Sequence, residues 1–205
     1  MSQDFSDFSP IPAPTLRERV LLWLEDQVPP KRLRHILGVE QLATALAEHH
    51  QLDIEAAAQA GLMHDLAKCF KPKKLLRMAQ VEGLTIDPVA IATPHLLHAD
   101  VGAIVARDEF GVESTAVLNA IANHTLGSPG MDDLSCVVFL ADALEPGRGD
   151  TDELNHLRQL SRTDLTAAVA QTCDRAIHHL LDHQALIHPR TVITRNWFWQ
   201  ASQGT

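Results

Sequence analysis

The chain has 205 residues, of which 45% are hydrophobic and 21% charged, and a formal net charge of −9. That length can bury a sizeable core within one domain, and the composition is that of an ordinary globular protein. The acidic balance argues against binding nucleic acid, which needs a basic face, and no apolar run approaches the roughly 20 residues that cross a bilayer. The opening segment, MSQDFSDFSPIPAP, is acidic and Pro-rich with no basic region or apolar stretch. Residues 1–14 therefore read as a disordered leader and not as a signal peptide. Cys69, Cys136 and Cys173 are odd in number and lack CxxC spacing. They read as free thiols in a reducing compartment, so the expected location is cytoplasmic. Twelve histidines stand against no tyrosine.

Helical periodicity runs nearly throughout, without a convincing strand. A first helix is expected over about Thr15 to Gln27, capped by Thr15 and stopped by Pro29-Pro30. A second covers about Lys31 to His50, and a third, capped by Asp53, runs to about Lys68. A shorter polar helix over about Lys73 to Glu82 and an irregular stretch come next, then helices over about Leu96 to Asp108 and Glu113 to His124. After the loop LGSPG, Asp132 or Asp133 caps an apolar helix that ends at EPGRG. Helices over about Thr151 to Leu160 and Asp164 to His183 lead into a tail, LIHPRTVITRNWFW, whose Trp197, Phe198 and Trp199 read as an apolar anchor folding back on the bundle. The fold class is an all-α helical bundle, one domain over residues 15–200.

Within this frame, His64-Asp65 in GLMHDLAK puts an imidazole and a carboxylate side by side on a core-facing helix. Burying either without a partner costs roughly 2–7 kcal/mol for a neutral polar group and more for a charge. A divalent metal offsets that cost by taking nitrogen from the neutral ring and oxygen from the carboxylate. His35 in RLRHILGV, His98 in LLHADVGAIV, His124 at the end of AVLNAIANH and Asp142 inside SCVVFLADAL are similarly out of place. Singly, each histidine has the bland reading of a surface or hydrogen-bonded residue. As a set, a His, an adjacent His-Asp 29 residues later and an Asp 77 residues beyond form a nitrogen- and oxygen-rich group drawn from separate helices.

The order His35, His64-Asp65, Asp142 resembles the H…HD…D pattern of the HD superfamily of metal-dependent phosphohydrolases. RHILGVE, LMHDLAK, HADVGAIVARDEFG, ANHTLGSPGM, FLADALEPGR and IHPRT further resemble, in order and spacing, the YqeK-type HD-domain bis(5′-nucleosyl)-tetraphosphatases of the symmetrical type. The likeness covers about Leu16 to Trp197. It implies a helical HD bundle with a binuclear metal site in its core, hydrolysing diadenosine tetraphosphate to two ADP. By that resemblance His35, His64, Asp65, His98, His124 and Asp142 are the metal ligands, with Asp65 bridging. Two divalent ions are implied, iron first, with manganese and zinc as alternatives.

The same resemblance makes Asp65 and Lys68 the catalytic residues, Lys68 sharing the helix face of the HD pair. It places Arg32, His98, Thr125, Gly127 and Arg148 against the nucleotide, with Gly127 and Gly130 in a loop of exposed N–H groups suited to anions. Two departures are Ser128, where the family usually has arginine, and Ala143, where it often has tyrosine; both bear on nucleotide preference. The implied partners are a dinucleoside polyphosphate and its ADP product, with no nucleic acid, no membrane and a homodimer as the candidate assembly. The alternatives are an HD nucleotidase or nucleoside polyphosphate hydrolase, and a non-catalytic HD module that binds nucleotide. His49, His50, His178, His179 and His183 are expected at the surface, His95 behind His98, and His188 as an organiser of the tail.

Overall fold

The computed structural model describes residues 13–204, and among them eleven α-helices and two 3₁₀ turns are present without a strand. Most of the expected leader, residues 1–12, lies outside the described residues. Helix α1 (Leu16–Gln27) opens on a capping box: Thr15 Oγ1 accepts the Glu18 N–H and the Glu18 carboxylate accepts the Thr15 N–H. Helix α2 (Pro30–His49) starts on a proline, whose fixed φ and missing N–H suit a first turn. It packs closely on α3 (Ile54–Met63), because Gly61 brings the two backbones together; a Cβ there would lie 2.9 Å from Glu40 Cα.

Helix α3 stops five residues short of the expected Lys68, and the reason is local. His64 Nδ1 donates to the Gly61 carbonyl at 2.7 Å, the acceptor that the Asp65 N–H would need to continue the helix. The chain then turns tightly, with Leu66 N bonded to Met63 O, Lys68 N to Asp65 O and Phe70 N to Ala67 O. His64 and Asp65 therefore sit in a turn after α3, not within a helix, and Lys68 is not on a helix face with them. The pair reaches the core because α6 covers this turn, with Gly102 packed on the His64 carbonyl.

Helix α4 (Pro72–Val81) and a five-residue α5 (Pro88–Ala92) follow, the latter capped by Asp87 and too short to show a period. A 3₁₀ turn, Pro94–Leu97, feeds α6 (His98–Phe110), which ends at Gly111 with φ 72°. Ser114 caps α7 (Thr115–Asn123) and Asp132 caps α8 (Asp133–Leu144), the most thoroughly buried helix. Helix α8 packs against α2, α3, α7, α9 and α10 and forms the centre of the bundle. Helices α9 (Asp152–Thr163) and α10 (Leu165–Asp182) begin close to where they were expected, Thr151 and Asp164 serving as caps that accept the Leu154 and Ala167 N–H groups.

The expected tail is a 15-residue helix, α11 (Pro189–Gln203), packed along α10. His188 caps it by accepting the Arg190 N–H at 3.1 Å, and Pro189 takes its first position. Its buried positions are Thr191, Thr194 and Phe198, two of them polar, so the apolar period is faint in the sequence. The anchor reduces to Phe198, which is 2% exposed, whereas Trp197 and Trp199 are each 42% exposed.

Candidate metal centre

Five elements bring their donors to one point. His35 lies on α2, Asp142 in the last turn of α8, His98 at the first residue of α6, His124 just after α7, and His64 and Asp65 in the turn after α3. His35 Nε2 is 3.1 Å from Asp142 Oδ1 and 3.9 Å from Asp65 Oδ2. His64 Nε2 is 3.5 Å from Asp65 Oδ2 and 3.8 Å from Asp142 Oδ1. On the other side, Asp65 Oδ1 is 3.2 Å from His98 Nε2 and 3.8 Å from His124 Nε2. Two overlapping ligand groups result: His35, His64 and Asp142, and His64, Asp65 and His124, each with donor atoms within 4.8 Å of one another. Asp65 offers one oxygen to each side.

The tautomers follow from the partners. His64, His98 and His124 each place Nδ1 on the carbonyl three residues back, those of Gly61, His95 and Ile121. A carbonyl only accepts, so each Nδ1 carries the proton and each neutral ring presents an Nε2 lone pair to the centre. His35 differs, because its Nδ1 faces Glu145 Oε1 at 3.0 Å. Glu145 is itself buried and also accepts the Gly147 N–H. An imidazole backed by a carboxylate is a more basic ligand with a fixed ring plane.

This arrangement fits a metal. His64 Nε2 is buried with no hydrogen-bond partner, an orphan that ordinary packing would not tolerate. His98 Nε2 and His124 Nε2 lie 3.1 Å apart, with the Thr125 hydroxyl 2.9 Å from the latter and 3.2 Å from the former. Lone pairs converging on carboxylate oxygens at this range repel unless a cation lies among them. Nitrogen and carboxylate donors without thiolate suit a borderline or hard divalent ion.

The electrostatics agree with that reading. Burial alone would raise the Asp65 carboxyl, but His64 and His98 outweigh it and hold it well below the usual carboxylate range. Asp142 is held low in the same way, against burial, by His35, His64 and Arg148. Burial pushes His124 down to about 3, and His64 and His98 push it further in that direction. Burial would lower His64 too, yet the Asp65 charge more than offsets it and the ring is raised. Burial lowers Lys68, partly compensated by Asp65.

Two guanidiniums close the rim. Arg32 Nη1 contacts Asp65 Oδ2 at 2.8 Å, and Arg148 bonds the Asp142 side chain as well as the Asp142 carbonyl at 2.7 Å. Lys68 Nζ lies 3.2 Å from His98 Nε2 despite leaving the helix face expected for it. Thr125 sits at the cluster itself, between His98 and His124. Gly127 does not present a free N–H: it donates to Asn123 O at 2.9 Å. Its φ of 65° and its packing against Thr194 serve the seam with α11, and Gly130 lies under Trp197.

Two site-building residues were not anticipated. Glu145 reads in sequence only as part of a Pro-Gly helix stop; its signal is a carboxylate three residues after Asp142, next to a buried helix end. Arg190, in IHPRT, bonds Ala122 O, the Asn123 side chain, Gly127 O and Asp100. It thereby holds the backbone on both sides of His124 and Thr125. A cavity of about 780 Å³ lies against His35, Arg32 and Arg148, and another of about 310 Å³ is lined by Thr125, Ala143, Arg148, Arg175 and His179.

A helical bundle holding an H…HD…D cluster defines a class, and residues 32–147 match the HD domain family. The chain belongs to the HD-domain family, whose members are metal-dependent phosphohydrolases. It is 35% identical to the symmetrical bis(5′-nucleosyl)-tetraphosphatase of Bacillus subtilis, across 91% of this chain and 99% of that protein. The corresponding protein of Halalkalibacterium halodurans is 34% identical, with 88% and 95% covered. The crystal structure of a predicted HD superfamily hydrolase involved in NAD metabolism from Clostridium acetobutylicum superposes with a TM-score of 0.85 at 32% identity, covering 89% of this chain and 96% of that one.

Proposed function

We propose that this chain hydrolyses diadenosine tetraphosphate symmetrically, releasing two ADP, with residues 15–200 acting as one catalytic unit. The observation that carries the reading is the cluster of four histidines and two aspartates, buried except at His35 and Asp142, with an orphaned His64 Nε2, opening on a cation-lined cavity. Its relatives named as symmetrical tetraphosphatases, matched nearly end to end, supply the substrate. His35, His64 and Asp142 would hold one divalent ion and His98 and His124 a second, with Asp65 shared between them. Iron is the expected metal. When bound, such ions polarise phosphate oxygens and make water a competent nucleophile near neutral pH.

The chain's own groups do the rest. One water is added across the central P–O–P linkage and one phosphoanhydride bond breaks, giving two diphosphates. Arg32 and Arg148 turn their guanidiniums to the phosphates, where planar donor pairs match paired oxygens. Lys68 is half-buried with its pKa depressed by burial, so its ammonium gives up a proton more readily to the departing ADP oxygen. Glu145 fixes the His35 ring, and Arg190 fixes the segment that bears His124 and Thr125. The sealed floor beneath His64, His98 and His124 keeps bulk water off the reacting side, which strengthens each charge interaction there.

The protein is assigned to the cytoplasm on its free cysteines, and no helix of the described residues is long and apolar enough to cross a membrane. Incubation of metal-loaded protein with diadenosine tetraphosphate, followed by anion-exchange chromatography, tests the activity. Two ADP per substrate is the expected product pattern. AMP with ATP, or turnover of mononucleotides alone, would overturn it.

A further inference from the structure

The cavity beside His35 has a lining that the donor cluster does not account for. It measures about 780 Å³ and is bordered by Lys31, Arg32, Arg34, His35, Glu145 and Arg148. Four of these are cations, in a chain whose net charge is −9. The single acid, Glu145, is buried and engaged with His35 and the Gly147 N–H. Lys31 and Arg34 are exposed and form no ion pair among the described residues. They flank Arg32 in the first turns of α2, and Arg32 alone of the three reaches the cluster, at Asp65. Arg148 borders this cavity and also the smaller one beside Thr125 and Ala143, which places the metal cluster between two openings.

We propose that the cavity at Lys31 and Arg34 is the subsite for the second nucleoside diphosphate half of the substrate, the half lying across the cleaved linkage from the Thr125 side. This rests on the reading of the chain as a dinucleoside tetraphosphatase. A symmetrical substrate has two identical halves, and symmetrical cleavage requires each to extend away from the central linkage. The volume lies within the range of small-molecule sites, roughly 300–1,000 Å³. Lys31 and Arg34 supply charge to the phosphates and a guanidinium plane on which a base can stack. Apart from the His35 imidazole, engaged by Glu145 and Asp142, the lining offers no aromatic ring and no free amide or carboxylate to read a base edge. The subsite therefore binds through phosphate and stacking, and accepts adenine and guanine alike.

The test uses the metal-loaded full chain, the double variant Lys31→Glu/Arg34→Glu, and a control, Lys73→Glu/Arg77→Glu, that carries the same charge change on exposed positions of α4 outside the cavity. Steady-state rates with diadenosine tetraphosphate and calorimetric titration with ADP are measured on all three. The expected result is a KM raised about tenfold or more in the double variant, with kcat within about twofold, because paired charge contacts to phosphate are lost from binding and not from the reacting centre. ADP sites per chain fall from two to one, metal content is unchanged, and the control resembles wild type. An unchanged KM, an equal rise in the control, or one ADP site in both wild type and variant overturns the subsite. If wild-type protein releases no ADP from the tetraphosphate, the functional reading fails, and the ADP stoichiometry still decides the cavity.

Discussion

The floor and the rim of the proposed metal centre are built on different principles. On the floor, His64, His98 and His124 are almost wholly buried, and each is oriented by a main-chain carbonyl three residues before it. At the rim, the His35 side chain is 11% exposed and that of Asp142 21%, and they are oriented by side chains, Glu145 and Arg148. A carbonyl fixed by its own helix end cannot be mutated away. Substitution at the floor thus removes a proposed ligand outright, whereas the rim can be loosened without touching one.

The largest effect is expected at the carboxylate shared by both sides. Asp65→Ala should abolish bound metal and ADP release together, as read by elemental analysis and chromatography. Full iron content with normal turnover would remove Asp65 from the centre. Next comes a rim change that leaves every ligand in place. Glu145→Ala should weaken metal binding by about 10–100-fold through loss of His35 orientation, while Glu145→Gln, which keeps an acceptor, recovers most of it. Equal loss in both variants would show that the charge and not the orientation matters.

Arg148→Ala should raise KM by about tenfold with metal content unchanged, the loss of one charge-assisted phosphate contact. A KM equal to wild type would leave Arg148 as a structural partner of Asp142. The smallest effect concerns the metal-free protein. His124 is depressed to about 3 against an unfolded value of ~6.5, so below ~6.5 the unfolded chain takes up a proton that the folded chain refuses. Stability from this group is present above that pH and is lost as pH falls toward 3. Asp65 and Asp142, both depressed, add loss of the same sign below about 4. His64, raised, acts in the other direction, its contribution fading as pH rises above ~6.5. Melting temperatures of the apo-protein should fall between pH 6.5 and 4, and His124→Asn should flatten that slope. An unaltered slope would show that the floor is not what titrates.

Three caps were legible in the sequence because they depend on neighbours: Thr15, Asp53 and, of the pair Asp132 and Asp133, Asp132 each bond an N–H a few residues away. Where a local bond competed with the helix, the pattern misled. The His64 side chain takes the Gly61 carbonyl and ends α3 early, in a stretch whose apolar residues continue the helical period through Leu66 and Ala67. Helix α11 was missed for the opposite reason, since its buried face holds two threonines and only one large apolar residue.

By itself, the sequence determined that the protein is helical and that imidazoles and carboxylates lie at core positions in an H…HD…D order, because period, capping and the cost of burial are properties of short segments. Only the tertiary structure decided that Asp65 stands between two groups of donors and that Glu145 holds His35. It alone joined Arg190 of α11 to the segment carrying His124, and Lys31 and Arg34 to a cavity shared with Arg148. These are relations between residues far apart in the chain, 113 positions for His35 and Arg148, and are fixed by how the helices pack around α8.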